Sequence, residues 1–184
     1  MALRHALIAA FVVAASLGSA AGESAPAIQD RIKAAFLYKF AGYVEWPREA
    51  FGDAASPIVI GVASAGTVAE ELEQAVAGRH IGERQLRVRR LLRADMRCDG
   101  CQILFVGPDV EPARAALLLE NARGRPVLTV TDSDAEQPHG SVIHFVVDAD
   151  RIRFDIAREA EDRNGLRLAS PLLAVARRVK ARTP

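Results

Sequence analysis

The chain has 184 residues, of which 50% are hydrophobic, and its 24 Lys and Arg side chains balance 23 Asp and Glu to a formal net charge of +1. This composition allows a packed core and excludes wholesale disorder. A near-zero charge and 5% aromatic residues supply neither the basic surface nor the stacking platforms typical of nucleic-acid-binding proteins, so we expect no nucleic-acid partner.

The N-terminus is typical of a cleaved export signal. Arg4 precedes an apolar stretch from Ala6 to Leu17, and small residues follow it, which fits cleavage after Ala20 or Ala21. The alternative is a membrane anchor, but a membrane span needs about 20 apolar residues and this stretch is shorter. We therefore expect residues 1–21 to be a signal peptide and the mature protein to be soluble and exported.

After a short polar lead-in, apolar and polar residues alternate with helix and strand periods. In chain order the predicted elements are a helix from Ile28 that ends before Trp46-Pro47, a strand over Ile58–Ala63, a helix from Thr67 to about Ala77, a strand over Gln85–Arg90 with one solvated face, a strand over Ile103–Val106, a helix from Pro112 to about Asn121, a strand over Val127–Thr131, a hairpin of Val142–Val147 with Arg151–Ile156, and a last helix capped by Ser170.

Local signals set several of these boundaries. Thr67-x-x-Glu70 predicts a capping box, and Gly124 stands where a C-terminal helix cap belongs. Ser170, followed by Pro171, is typical of a helix start. We expect the apolar face of that last helix to run from Leu172 to Val179.

Strand–helix–strand units favour a mainly parallel sheet with helices on its faces. The hairpin adds an antiparallel pair at one side. Because no repeat, low-complexity tract or long linker divides the chain, we predict a single α/β domain over residues 22–184, with a mainly parallel sheet, an antiparallel hairpin and helices on both faces.

Cys98 and Cys101 are the only cysteines, and export favours their oxidation. In thiol–disulfide oxidoreductases a C-x-x-C pair opens a helix after a strand, whereas this pair precedes a strand. We favour a local structural disulfide, or thiols that pair transiently. A redox-catalytic pair and a zinc site completed by His139 and His144 are the alternatives, although the spacing is too long for a zinc finger.

No other motif indicates catalysis. Nucleophile-elbow, phosphate-loop and zinc-protease motifs are missing from the sequence, and His80 and His144 are interpreted as structural or solvated side chains. Asp132-x-Asp134-x-Glu136 begins like a calcium loop but has Gln137 where glycine is needed, so we interpret it as a solvated loop. We expect no catalytic residues, no metal and no cofactor.

Two regions are candidate binding sites. Ligands of open parallel sheets collect beyond the carboxyl ends of strands, and the predicted strand ends make Ser64, Thr67 and Asp132 ligand-binding candidates, with the helix at Thr67 available to a small anion. The first helix concentrates aromatic residues, which indicates either core packing or docking to another chain. The partner-binding candidates on this helix and on the last one are Phe36, Tyr38, Phe40, Tyr43, Trp46, Leu172 and Leu173.

Several segments together resemble the YfiR-like family of exported bacterial regulators. Ile32–Phe40 and Tyr43–Pro47 are very close to its opening signature, and the similarity continues in order over about residues 30–178. The further matching segments are Cys101–Val106, Val127–Asp132, Ile152–Ile156, and Gly165–Leu168 with Leu172-Leu173.

The resemblance implies a periplasmic protein that represses by contact. The family's namesake binds the periplasmic domain of an inner-membrane diguanylate cyclase and holds it inactive, which lowers cyclic-di-GMP signalling and biofilm formation. A lipoprotein linked to the outer membrane relieves this block. For this chain the resemblance therefore predicts a sensor or cyclase partner, a possible lipoprotein antagonist and a homodimer. An exported module that binds a small ligand at the strand ends is the alternative function, and a thiol–disulfide enzyme is a third.

This chain departs from the family pattern in a few places. The namesake carries two disulfides, whereas two cysteines allow one at most. Gln102 replaces a frequent His, Ala157 stands where Asn commonly follows, and Pro171 falls in a stretch usually free of proline.

Overall fold

The computed structural model describes residues 24–64, 66–132, 140–149 and 151–181. Its helices are α1 (Ala25–Phe40), α2 (Val68–Val76), α3 (Pro112–Ala122), α4 (Arg158–Arg163) and α5 (Ser170–Val175), with a 3-10 helix at Arg48–Ala50. The strands are β1 (Val44–Glu45), β2 (Ile58–Ala63), β3 (His80–Ile81), β4 (Arg84–Arg90), β5 (Ile103–Val106), β6 (Leu128–Asp132), β7 (Ile143–Asp148), β8 (Arg151–Ala157), β9 (Arg167–Leu168) and β10 (Arg178–Lys180).

Eight strands, β2 to β8 and β10, form one large sheet. The remaining two, β1 and β9, pair in a separate two-stranded sheet. In space the large sheet runs β10-β8-β7-β6-β5-β2-β4-β3. Its central neighbours, from β4 through β2, β5 and β6 to β7, are parallel, whereas β7–β8 and β3–β4 are antiparallel. This confirms the predicted α/β class, the mainly parallel sheet and the hairpin.

Alternating side chains divide the core between the two faces of the sheet. Ile103 and Phe105 pack on one face in a cluster that includes Leu37 of α1 and Leu72 of α2. Leu104 and Val106 pack on the other face with α3 residues and both cysteines. The expectation of helices on both faces is therefore confirmed, since side chains of successive strand residues point to opposite sides.

Four phenylalanines join α1 to the β7–β8 hairpin. Phe36 and Phe40, one helical turn apart, contact Phe145 of β7 and Phe154 of β8 with ring centroids 5.1–5.9 Å apart. The edge-to-face geometry of Phe40 with Phe154 is a favoured aromatic arrangement. Because strand and helix contribute equally, this cluster fixes how α1 crosses the sheet.

The structure corrects two helix starts and one helix end. Thr67 precedes α2 as predicted, but its hydroxyl donates to Asp30 and caps no helical amide. Ser170 is the first residue of α5 and not its cap, which is Ala169. That helix ends at Val175, and Val179 lies in β10, because the chain there pairs in parallel with β8.

Several short elements were not predicted: β1, β3, β9, β10, α4 and the 3-10 helix. Each is too short for a periodic pattern to show. The predicted signal peptide, residues 1–21, lies outside the described residues. Among the helices of the described ranges, none is long and apolar enough to cross a membrane.

An ion pair next to the edge strand β10 yields a prediction on pH. The Arg177 guanidinium donates from Nε and Nη2 to the buried Asp155 carboxylate at 2.8 and 2.6 Å. These bonds lower the pKa of Asp155 below its ordinary value despite its burial. Since the folded pKa is depressed, the pair stabilises the fold above the pKa of the unfolded chain and loses that effect as the pH falls through the folded pKa.

We expect Arg177→Gln to lower the free energy of unfolding by about 1–3 kcal/mol near neutral pH, because it leaves a buried carboxylate without its cation. The difference from the unmutated protein should shrink as the pH falls below about 4, the ordinary pKa of an Asp carboxyl, and on through the lower pKa that Asp155 has in the folded protein. Urea unfolding at both pH values measures this. Arg178→Gln removes an equal charge one residue away and serves as the control. A loss that does not change with pH would contradict the assigned pair.

Candidate functional site

The aromatic residues of the first helical segment divide between core and surface. Phe40 is 1% exposed and Leu172 is 3% exposed, so both belong to the core. Phe36 is half-buried in the phenylalanine cluster. Burial explains their sequence pattern without a partner, and it leaves Tyr43, 40% exposed, as the member of the set most open to solvent.

Tyr38 and Trp46 contact arginines or aromatics on the β3–β4 side of the fold. The Arg79 guanidinium lies 5.1 Å from the Tyr38 ring centroid. The Trp46 and Phe51 rings meet edge-to-face with centroids 6.3 Å apart, and the Arg84 guanidinium stacks on Phe51, 3.7 Å from its ring centroid. These contacts hold both side chains half-buried against the core.

Tyr43 lies beside the start of α5. The β1–β9 pair joins these chain segments, and the Ala169 N–H donates to the Tyr43 carbonyl at 2.9 Å. Leu173 is half-buried on α5, and Val175 at its end is exposed. We call Tyr43 with Ala169 and Leu173 the α1–α5 junction. Two of the predicted partner-binding residues belong to it, Tyr43 just beyond α1 and Leu173 on α5.

The three ligand-binding candidates each bond to another side chain. Ser64 Oγ donates to Asp109 Oδ1 at 2.6 Å, and Thr67 Oγ1 donates to Asp30 Oδ2 at 2.8 Å. The Thr67 amide also donates to that carboxylate at 3.2 Å. A carboxylate thus occupies the place suggested for a small anion at this helix start. Ligand binding there stays a prediction.

Asp132 is not the start of a solvated loop, as the sequence suggested. Its carboxylate lies 2.6 Å from Lys33 Nζ, and both side chains are largely buried. Lys33, a charged residue between the apolar positions of α1, is only 6% exposed. Asp30 Oδ1 lies 4.0 Å from the same ammonium. A buried ion pair therefore fixes α1 to the carboxyl end of β6. Asp134 and Glu136 lie outside the described residues.

Cys98 and Cys101 form a disulfide, which confirms the local bridge. Both are buried in the second core cluster. A Cβ on Gly61 of β2 would lie 2.5 Å from Cys98 Sγ and 2.9 Å from Cys101 Sγ. Since Cβ atoms do not approach so closely, glycine is required where the bridge packs on the central strands.

Within the described ranges, no group of three or more His, Cys, Asp or Glu side chains is arranged to hold a metal ion. His144 is buried, and its Nδ1 lies 2.9 Å from Thr131 Oγ1. His80 is exposed at β3, and His139 lies outside the described residues. With both sulfurs in a disulfide, the zinc interpretation loses its thiolate ligands.

Gln102, where the family often has His, is a buried structural residue. Its Oε1 accepts from the Val59 amide at 2.8 Å and its Nε2 donates to the Ala50 carbonyl at 2.7 Å. It thus ties the 3-10 helix to the sheet. Sequence reasoning missed this role because the polar residue between Cys101 and Ile103 has no pattern of its own.

A groove of about 640 Å³ opens between α3, α4 and β10. Two of the arginines that line it form ion pairs with lining carboxylates, Arg123 with Glu120 and Arg163 with Glu159. No predicted site residue lines it. The groove is therefore separate from both candidate regions.

The model of a family described as YfiR/HmsC-like matches residues 30–177, most of the chain and all of the large sheet up to β8. No curated protein matches the chain.

Proposed function

Because the chain belongs to the YfiR/HmsC-like family, we propose that it is a periplasmic regulator and not an enzyme. In this proposal it binds the periplasmic domain of an inner-membrane diguanylate cyclase, represses it, and so lowers cyclic-di-GMP signalling and biofilm formation. The family match over residues 30–177 is the observation that carries the proposal. Membership supports a regulatory role in cyclic-di-GMP signalling.

Repression of this kind needs only differential binding. A protein that binds the inactive conformation of a cyclase more tightly than the active one shifts the equilibrium toward the inactive state. It needs a stable surface and no reacting groups. A rigid sheet with disulfide and aromatic clusters in its core supports such a surface.

We propose the α1–α5 junction as the cyclase-binding surface. Tyr43 is exposed there, and aromatic residues are enriched among those that dominate binding energy at protein interfaces. On α5, whose preceding residue Ala169 bonds to the Tyr43 carbonyl, Leu173 is half-buried and Val175 is exposed, which adds apolar area to this part of the fold. A homodimer and an outer-membrane lipoprotein antagonist belong to the same proposal.

Gene deletion and complementation test the function. We expect deletion to raise cellular cyclic-di-GMP, and the unmutated gene to restore it. The tagged mature protein should retain a diguanylate cyclase with a periplasmic domain from envelope extract. Tyr43→Ala should fold normally and fail to restore repression, whereas the control Tyr38→Phe, which removes only a hydroxyl, should restore it. Unchanged cyclic-di-GMP on deletion, together with no retained cyclase, would overturn the proposal.

A further inference from the structure

The strand β4 has an open edge over most of its length. One side pairs with β2 from Leu86 to Arg90. The other side pairs with β3 only at Arg84 and Gln85, and the Leu86 N–H then donates to the Arg79 carbonyl at 3.1 Å. Beyond that bond, no described strand covers β4.

The register shows which backbone groups are free. The Leu91 N–H donates to the Val62 carbonyl of β2 at 2.9 Å. Along a strand the backbone N–H and C=O of every second residue point to the same side. The backbone groups of Arg87 and Arg89 therefore point toward β2, like those of Leu91. Val88 and Arg90 turn theirs outward, where no described residue accepts or donates. Such a row of unpaired groups is a template for an added strand.

Arginines line this edge with little neutralisation. Arg87 donates only to the Gln85 amide oxygen, at 3.2 and 3.3 Å, and Arg89 donates to the Asp99 carbonyl at 3.1 Å. Neither forms an ion pair with a described carboxylate. Arg90 differs, because Glu73 holds it through two bonds of 2.8 Å. The unpaired cations therefore flank the free backbone groups.

Apolar side chains are exposed in the loop that follows the strand. Leu92 is 71% exposed and Met96 is 40% exposed. Leu92 follows Arg90 by two residues, so exposed apolar side chains continue the chain directly beyond the free backbone groups and the unpaired cations. We call Val88, Arg87, Arg89, Leu92 and Met96 the β4 edge.

We propose that the β4 edge binds an extended acidic segment of a partner protein as an additional strand. Backbone hydrogen bonds to Val88 and Arg90 hold the segment, and its carboxylates pair with Arg87 and Arg89, as in strand addition to other sheets. A second copy of this chain does not fit, because pairing two such edges places arginine against arginine. The proposal is independent of the proposed cyclase repression, since it rests on the edge alone.

Labelled peptides of about ten residues test the proposal on the mature chain. One peptide alternates Glu with Val and Thr, a second has Lys for Glu, and a third keeps the Glu residues but has Pro at alternate positions. Fluorescence anisotropy measures binding, and amide hydrogen exchange reports Val88 and Arg90. We expect only the first peptide to bind, to slow exchange of those two amides about tenfold, and to bind more weakly as salt is raised.

Variants separate the backbone contribution from the charge contribution. Val88→Pro removes the outward donor without removing a β2 bond, and should abolish binding, while Val88→Ala should retain it. Arg87→Glu with Arg89→Glu should weaken binding about tenfold or more, and Arg151→Glu with Arg153→Glu, an equal charge change on β8, should not. If the proline variant fails to fold, the charge variants and the exchange readout still decide.

Three results would overturn the proposal. The first is no binding of the Glu peptide up to about 1 mM, a concentration that detects even weak complexes. The second is equal binding of the proline-containing acidic peptide, with Val88 and Arg90 unprotected, which would indicate a simple anion surface. The third is concentration-dependent protection of the same amides without peptide, which would show that the edge pairs with a second copy.

Discussion

Phe40→Ala is expected to lower the free energy of unfolding by about 3–5 kcal/mol. The side chain is 1% exposed and packs against Phe36, Phe145 and Phe154 with centroid distances of 5.1–5.9 Å. Its removal leaves a cavity where α1 crosses the β7–β8 hairpin, and the hydrogen-bonded strands cannot move to fill that cavity. Since domains of this size are stable by about 5–15 kcal/mol, the loss is a large part of the total.

Urea unfolding followed by circular dichroism measures the effect. Tyr43→Ala is the matched control, because it removes an aromatic ring just beyond the same helix from a position 40% exposed. That variant should change the free energy of unfolding by less than about 1 kcal/mol. Equal losses for both variants would mean that Phe40 is not a core residue in solution. The same comparison separates folding from binding at the α1–α5 junction.

How far the sequence predicts this fold depends on the length of each element. β2, β5, β6 and the β7–β8 hairpin are runs of apolar or alternating residues between turn signals, and all appear as predicted. The sequence predicts helix where β10 lies, because Val175, Ala176 and Val179 fit a helical face. Pairing with Asp155–Ala157 of β8 decides its conformation, and such tertiary pairing leaves no local signal.

The candidate sites likewise divide into features set by residues close in the chain, which the sequence predicts, and features set by distant residues, which it does not. Cys98 and Cys101 are close in the chain, so their bridge is predictable from spacing. The alternation over Gln85–Arg90 correctly predicts a strand with one solvated face, but the open edge of β4 follows only from the end of β3 at Ile81. Lys33 carries no sign of burial, because the residue that pairs with it lies about a hundred positions away in Asp132.

That buried pair supports the second large prediction. Lys33 and Asp132 are joined by a 2.6 Å contact between Nζ and Oδ2, with side chains 8% and 12% exposed. Breaking a buried ion pair leaves one charge without compensation and costs about 3–5 kcal/mol. We therefore expect Asp132→Asn and Lys33→Met each to destabilise the protein by about that amount.

The double variant should recover most of the loss, because removing both partners leaves no uncompensated charge, and apolar replacements of buried pairs are often tolerated. Urea unfolding of the four proteins gives the coupling free energy. Arg97 and Asp99 form a control pair at 2.8 Å with both side chains 60% exposed, for which coupling below about 1 kcal/mol is expected. An equally small coupling free energy for Lys33 and Asp132 would mean that water reaches the pair, and that α1 is held on the sheet by its phenylalanines alone.

A large coupling free energy would instead make the contact between Lys33 and Asp132 a second anchor of α1. This anchor lies at the carboxyl end of β6, where ligands of parallel sheets usually bind. The Asp132 carboxylate would then be engaged in holding α1, and a ligand at that edge of the sheet would have to bind through the remaining candidates, Ser64 and Thr67.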